Sequence, residues 1–337
     1  MNILRLSWSS YQTDDSLQHE AETIRSQGHR YLRPRRSGPR PGKLKTYDVI
    51  IINSQFEVDE VFLNHWNNDG LILTASNGYD HIDLDACSRY GVLVGRTPDC
   101  RAKSVSAYVK NILGVFKCDL HRTGHPVRNT FWDRPASFQN IQSMKNLTLG
   151  IVGFGAIGEK LLETIDVSQF ESVLINDPLK EEKIQGHPDT AYATPRELVE
   201  SSNILSLHAD LNPSTRGLIT RRTLDALPDP SFLINTARGS MVEPDAVRSA
   251  LTDDSLNGAV LDVLPEEPPE NSDVLRDEGL FVTPHSAGFS PTLTEDMTDE
   301  LVSNLETYEE TGEPSDPLTP RSSEELDRLK AQWDDLD

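Results

Sequence analysis

Lysine is scarce in this chain. Of its 32 Lys+Arg only ten are lysine, leaving 22 arginines, and 54 Asp+Glu bring the formal net charge to −22. Cysteine is scarcer. Cys87, Cys100 and Cys118 form neither an even set nor a metal-ligand spacing, so a disulfide framework is excluded, no metal is expected, and reduced thiols in a cytoplasmic protein are the expectation. No apolar stretch approaches the ~18 residues that cross a bilayer, and Met1-Asn-Ile-Leu-Arg does not open a secretory signal. No membrane role follows. The acid excess argues against nucleic acid as a partner, since a polyphosphate would be repelled. Spread along the whole chain, the acids form a solvated surface whose self-repulsion is tolerable where salt screens it. That suggests a halophilic source; an ordinary acidic cytosolic protein is the competing reading.

What the sequence does contain is organised around Asn146 to Asp177. Leu147, Leu149, Ile151 and Val152 make a short apolar run, Gly153, Gly155 and Gly158 follow in G-x-G-x-x-G spacing, and a helical pattern begins at Ala156 and Ile157. The first glycine permits a tight turn, the second lets a pyrophosphate approach the backbone, and the third lets helix and strand pack closely. The anion then sits on free N–H groups at the helix N-terminus. A second apolar run, Val173 to Ile175, leads to Asp177, about where a ribose-binding acid belongs. Alone, the glycine pattern is a common turn. With strand, helix and acid in order, it reads as a dinucleotide site, and Asp177 favours NAD over NADP because its carboxylate repels a 2′-phosphate.

Strand and helix patterns alternate on both sides of this stretch. Asn2 to Leu6, Tyr47 to Ile52, Leu71 to Ala75 and Gly91 to Pro98 read as strands, with helices at Asp15 to Gln27, Val58 to Trp66 and Ser104 to Val115. Arg30 to Lys45, rich in Arg, Pro and Gly, reads as a solvated loop, and His121 to Met144, with Phe131, Trp132 and Phe138, as a connecting loop. After the fingerprint come strands at Ile204 to His208, Phe232 to Asn235, Gly258 to Val263 and Leu280 to Thr283, and a long helix at Thr292 to Glu309. The expected architecture is α/β, with two doubly wound parallel-sheet domains. One is a Rossmann dinucleotide-binding domain over 116–284; the other is a flavodoxin-like substrate domain made of 1–115 and 285–337.

Ligands in open α/β sheets sit beyond the carboxyl ends of strands. Four such ends carry chemistry. Asn77, Gly78 and Tyr79 follow one strand directly and read as a backbone cradle for a carboxylate, the bland alternative being a plain turn. His81, beside two acids, reads as a turn or capping residue. In the second half, Asn235-Thr236-Ala237-Arg238-Gly239, Asp262 with Glu267-Pro268, and Thr283-Pro284-His285 bring Arg, carboxylates and His to one sheet edge. Arg can hold a substrate carboxylate through two parallel hydrogen bonds. His can exchange a hydroxyl proton near neutral pH, and Glu can orient the imidazole and favour its charged form.

These motifs, N-T-A-R-G at 235–239, D-V-x-x-x-E-P at 262–268 and T-P-H-S-A-G at 283–288, closely resemble the signatures of the NAD-dependent D-isomer-specific 2-hydroxyacid dehydrogenases. G-F-G-A-I-G and S-N-G-Y-D-H-I-D-L fit as well, so the resemblance runs from about Tyr47 to Glu309. It implies catalytic Arg238, Glu267 and His285, with His285 the acid in 2-oxo acid reduction, and a site in an interdomain cleft. It also implies that Asp262 holds the nicotinamide carboxamide. Cofactor contacts are expected at Gly153, Gly155, Ala156, Ile157, Gly158, Asp177, His208, Thr236, Ala237, Arg238, Asp262 and His285, and substrate contacts at Asn77, Gly78, Tyr79, Arg238 and His285. A homodimer built through the cofactor domains is the family expectation. Departures occur at Val105-Ser106-Ala107, where V-A-E is common, and at Asp210, where a proline often stands. The alternative on the same fold is an NAD(H)-sensing regulator, which would need only the fingerprint and Asp177; a methyltransferase would leave Arg238 and His285 without a role.

Overall fold

The computed structural model describes residues 1–34, 44–66, 69–117, 143–270 and 279–336. Residues 35–43 of the basic loop, Cys118, and residues 121–142 with Phe131, Trp132 and Phe138 lie outside them. Two compact units share the chain. The first comprises Met1–Arg101 and Ser290–Ser322, the second Ala102–Phe289 and Ser323–Asp337.

The first unit is a five-stranded sheet, β1 (Asn2–Arg5), β2 (Arg30–Leu32), β3 (Val49–Ile52), β4 (Leu71–Thr74) and β5 (Leu93–Arg96). Every pairing is parallel and the order is β2-β1-β3-β4-β5, the flavodoxin-like order with its switch point between β1 and β3. β3 and β4, Val-Ile-Ile-Ile and Leu-Ile-Leu-Thr, are buried throughout, as strands covered on both faces must be. The helix Asp14–Ser26 starts where the Thr13 side chain accepts the Ser16 N–H and buries Leu17, Ala21 and Ile24. Strand β2 corrects the reading of Arg30 to Lys45 as all loop. It is an edge strand of three residues with only Tyr31 inside, too short and too exposed to leave a periodic signal.

The second unit holds seven parallel strands: β6 (Thr148–Val152), β7 (Ser172–Asn176), β8 (Ala191–Tyr192), β9 (Ile204–Leu207), β10 (Phe232–Asn235), β11 (Gly258–Leu261) and β12 (Leu280–Val282). Their order, β12-β11-β10-β9-β6-β7-β8, is the Rossmann order extended by one strand. The sequence pattern omits β8, again a short edge strand.

The sequence pattern places domain boundaries at 115/116 and 284/285, whereas the units part at 101/102, 289/290 and 322/323. Packing decides this. In the helix Asp99–Lys117, Val105, Val109, Leu113 and Phe116 are buried in one core with Phe154, Leu161 and Phe232, and Phe116 stacks on Phe232 at 4.4 Å. A helix belongs to whichever core covers its apolar face. The last helix, Ser323–Asp334, joins the second unit in the same way, with Trp333 and the following Leu336 against the cluster around Leu198 and Leu224. Among the described residues no helix is long and apolar enough to cross a membrane.

Candidate active site

The glycine loop lies between β6 and the helix Ala156–Thr164. Gly153 has φ 93°, and a Cβ there would meet the Ala209 backbone N at 2.5 Å; a Cβ on Gly158 would meet the Gly153 carbonyl O at 2.5 Å. Those two glycines serve the turn and the helix–strand contact. Gly155 differs, because a Cβ there would enter open space. It is the N-cap of a helix that no side chain caps, so the first-turn N–H groups are left for an anion. Asp177 leaves the end of β7 and accepts the Phe154 N–H at 2.9 Å through Oδ2 and the Leu179 N–H at 3.1 Å through Oδ1. The carboxylate is therefore held beside the glycine loop. The open cradle, the uncapped helix and the placed acid fit a dinucleotide.

At β9 and β10, His208 and Thr236 come together, both buried. His208 Nε2 lies 2.8 Å from Ser206 Oγ and Nδ1 3.5 Å from Thr236 Oγ1. Burial alone pulls the His208 imidazole down to about 4, so it is neutral at physiological pH. Just beyond, Asn235 braces the next loop: its Oδ1 accepts the Ala237 N–H at 3.0 Å and its Nδ2 donates to the Arg238 carbonyl at 3.0 Å. This bracing residue was not singled out in the sequence, where asparagine at a strand end is ordinary.

Gly239 explains why glycine follows Arg238. A Cβ there would lie 1.9 Å from the Leu264 carbonyl carbon, so the Arg238 loop and the Leu264–Glu267 loop are pressed together backbone to backbone. Glu267 Oε1 accepts the Leu264 N–H at 2.9 Å, and Oε2 lies 2.8 Å from His285 Nδ1. Burial raises the Glu267 carboxyl, but the hydrogen bonds from His285 and Leu264 and the charges of His285 and Arg238 outweigh it and hold the group below its ordinary value. His285, 51% exposed, adopts φ 52°, a left-handed conformation that costs a non-glycine residue energy.

That turn is held by Asp262, 2% exposed. Its Oδ1 accepts from Thr283 Oγ1 at 2.6 Å and from the Ser286 N–H at 2.8 Å, its Oδ2 from the Ala287 N–H at 2.9 Å, and its carbonyl from the His285 N–H at 2.8 Å. In this structure the carboxylate is a bracket for residues 283–287, a role the motif alone did not disclose. Tyr108 extends it, donating to Thr283 Oγ1 at 2.8 Å. Arg238, Glu267, His285, Asp262, Thr236, Ala237 and His208 thus all sit at the carboxyl ends of β9 to β12.

In the first unit the turn after β4 has a distinct accounting. Ser76 Oγ donates to the Gly78 carbonyl at 2.8 Å and Arg96 Nη1 to the Asn77 carbonyl at 3.2 Å, with the Arg96 guanidinium 5.6 Å over the Tyr79 ring. The carbonyls are therefore engaged. Among the described residues no acceptor meets the N–H of Asn77 or of Gly78, although Gly78 is buried. Two unpartnered donors at a strand end suit a carboxylate. His81 Nε2 pairs with Thr74 Oγ1 at 3.0 Å, in keeping with a turn residue.

Comparison with known proteins follows the same lines. Residues 115–287 match the family model described as D-isomer specific 2-hydroxyacid dehydrogenase, NAD binding domain. The chain is 30% identical over 264 residues to a (S)-sulfolactate dehydrogenase of Chromohalobacter salexigens, covering 76% of this chain and 83% of that one. It is 28% identical over 245 residues to a glycerate dehydrogenase of Methylorubrum extorquens, covering 71% and 75%. It spans about half the length, 46%, of D-3-phosphoglycerate dehydrogenases of Bacillus subtilis and Methanocaldococcus jannaschii. Among solved structures, D-lactate dehydrogenase from Aquifex aeolicus with NAD and lactic acid superposes with a TM-score of 0.77 at 22% identity, over 96% of this chain and all of that one, a likeness of fold.

Proposed function

The chain belongs to the D-isomer specific 2-hydroxyacid dehydrogenases, an NAD-dependent family, and we propose that it catalyses the reversible reduction of a small 2-oxo acid to the D-2-hydroxy acid. The observation that carries this reading is the 2.8 Å pairing of Glu267 with His285 at the strand ends that also bear Arg238. Because Glu267 Oε2 receives the Nδ1 proton, Nε2 is the nitrogen left to exchange a proton with substrate. In reduction, His285 gives that proton to the C2 oxygen; in oxidation it takes the hydroxyl proton back. Arg238, a planar fork, holds the substrate carboxylate and polarises the neighbouring carbonyl. Glu267 keeps the imidazole oriented and stabilises its charged form.

For the cofactor, the N–H groups from Gly155 to Gly158 would hold the pyrophosphate, Asp177 the ribose, and the His208–Thr236–Ala237 edge the nicotinamide end. When bound, NADH supplies the hydride that adds to C2. Asp262 already makes three carboxylate hydrogen bonds, so its first effect on the nicotinamide side is to fix the turn around His285. The N–H groups of Asn77 and Gly78, with Tyr79, are proposed as a cradle for a substrate carboxylate. A cytoplasmic homodimer is proposed from the family resemblance and is checked by light scattering.

The test is a panel of 2-oxo acids with NADH and NADPH at low and high salt. His285→Ala should lower turnover in both directions by about 10²–10⁴-fold while NADH binding persists. Arg238→Lys should cost about 2–4 kcal/mol of transition-state stabilisation. A wild type that binds NADH tightly and reduces none of the panel would favour the NAD(H)-sensing alternative.

A further inference from the structure

Three arginines at the carboxyl edge of the first sheet each face a carboxylate: Arg5 with Glu20 at 3.4 Å, Arg33 with Asp14 at 3.3 Å and Arg96 with Asp316 at 2.5 Å. Arg101 does not. Its Nη1 donates to the Ala75 carbonyl at 3.4 Å and lies 3.7 Å from Cys100 Sγ, its Nη2 donates to the Tyr11 hydroxyl in a short hydrogen bond, and its guanidinium sits 6.0 Å over the Tyr11 ring. All of these partners are neutral. Among the described residues no carboxylate lies within ion-pair distance, in a chain with 54 Asp+Glu. Glu300, which packs against the start of the helix Asp99–Lys117, has its two oxygens on the N–H groups of Asp99 and Cys100. Arg101 is half-buried, so its charge is less screened by water than that of a surface arginine.

Position gives the charge a use. Arg101 ties the loop after β1, through Tyr11, to the end of β4, through Ala75, and so spans the carboxyl end of β3, which lies between those strands in the sheet. Ala75 is two residues before Asn77, no more than roughly 7 Å along the chain. An uncompensated guanidinium therefore stands near the two unpartnered N–H groups of Asn77 and Gly78, at the reach of a three- or four-carbon acid carrying an anion at each end. Resting on the reaction proposed above, we infer that the substrate is a 2-oxo acid with a second anionic group (carboxylate, sulfonate or phosphate), and that Arg101, with the Tyr11 hydroxyl, receives that group while the turn receives the C1 carboxylate. Arg101 is a specificity-determining residue in this assignment.

The experiment compares kcat/KM with NADH for oxaloacetate, 3-sulfopyruvate and phosphohydroxypyruvate against glyoxylate and pyruvate, in the wild type, Arg101→Met, Arg101→Lys and Tyr11→Phe. The wild type should favour at least one doubly anionic acid by about 10- to 100-fold, the worth of a charge-assisted contact, and the identity of the preferred one distinguishes the three anions. Arg101→Met should bring the doubly anionic to singly anionic ratio toward parity, Arg101→Lys should restore part of it, and Tyr11→Phe should lower it by a smaller factor. A wild-type ratio at or below one overturns the assignment, as does an Arg101→Met variant that loses both classes equally. Reduction of glyoxylate or pyruvate without the preference removes only this anion site; reduction of none of the five acids removes the reaction class with it.

Discussion

Glu267 grips His285 with one oxygen and its own loop with the other: Oε2 lies 2.8 Å from the imidazole Nδ1 and Oε1 accepts the Leu264 N–H at 2.9 Å. The carboxyl, held below its ordinary value despite burial that raises it, stays ionised throughout the neutral range. Glu267→Gln keeps the shape and removes the anion, so the charged imidazole needed for reduction should be lost at lower pH. The alkaline fall of reductive kcat/KM should move down the pH scale, and oxidation of the hydroxy acid should persist to lower pH than in the wild type. Profiles left in place, or moved upward, would take the pairing out of the mechanism.

Gly239 should tolerate no side chain. A methyl group 1.9 Å from the Leu264 carbonyl carbon must push the Arg238 loop and the Glu267 loop apart. Gly239→Ala should lower kcat/KM by about 100-fold, the cost of misplacing catalytic groups by about 1 Å, with NADH affinity nearly retained. Unchanged steady-state kinetics would show that the two loops are not coupled through this contact.

Cofactor preference should turn on Asp177. The wild type should prefer NADH, and Asp177→Ser should narrow the NADH to NADPH ratio of kcat/KM by removing the charge that repels a 2′-phosphate. Lys183, one of the two lysines that follow Asp177, is paired with Glu159. Equal or better use of NADPH by the wild type would overturn this assignment.

Acid should unfold the protein partly through His208. Its folded-state value of about 4 lies below the ordinary 6.5, so between those values the unfolded chain binds more protons and stability falls as pH falls. The full contribution is about 3 kcal/mol. His208→Gln should flatten the denaturant-derived stability curve between pH 6.5 and 4 by about that amount; parallel curves for the two proteins would refute it.

Salt should stabilise. With a net charge of −22, the melting temperature and activity should both rise from dilute buffer to molar KCl as self-repulsion is screened. A midpoint that is flat or falling over that range would remove the halophilic reading.

Gly153, Gly155, Gly158 and Asp177 were legible in the sequence because each answers a local demand: a tight turn, a close approach, an acid at the end of the next strand. Arg238, Glu267 and His285 were legible because short, rigid strand ends display them in a fixed order, and the long apolar strands were legible because burial on both faces writes itself as a continuous run. The edge strands β2 and β8 left no such mark, having one neighbour each and little to bury. Contacts between distant residues decided the rest. Whether Asp262 faces a ligand or brackets the turn at 283–287, why glycine must stand at 239, which core claims the helix Asp99–Lys117, and that among the described residues Arg101 has no carboxylate beside it all depend on which backbones meet in space. Local pattern determined the kind of chemistry this chain carries; only the packing of its loops determined which charged groups are already partnered and which are left to meet a substrate.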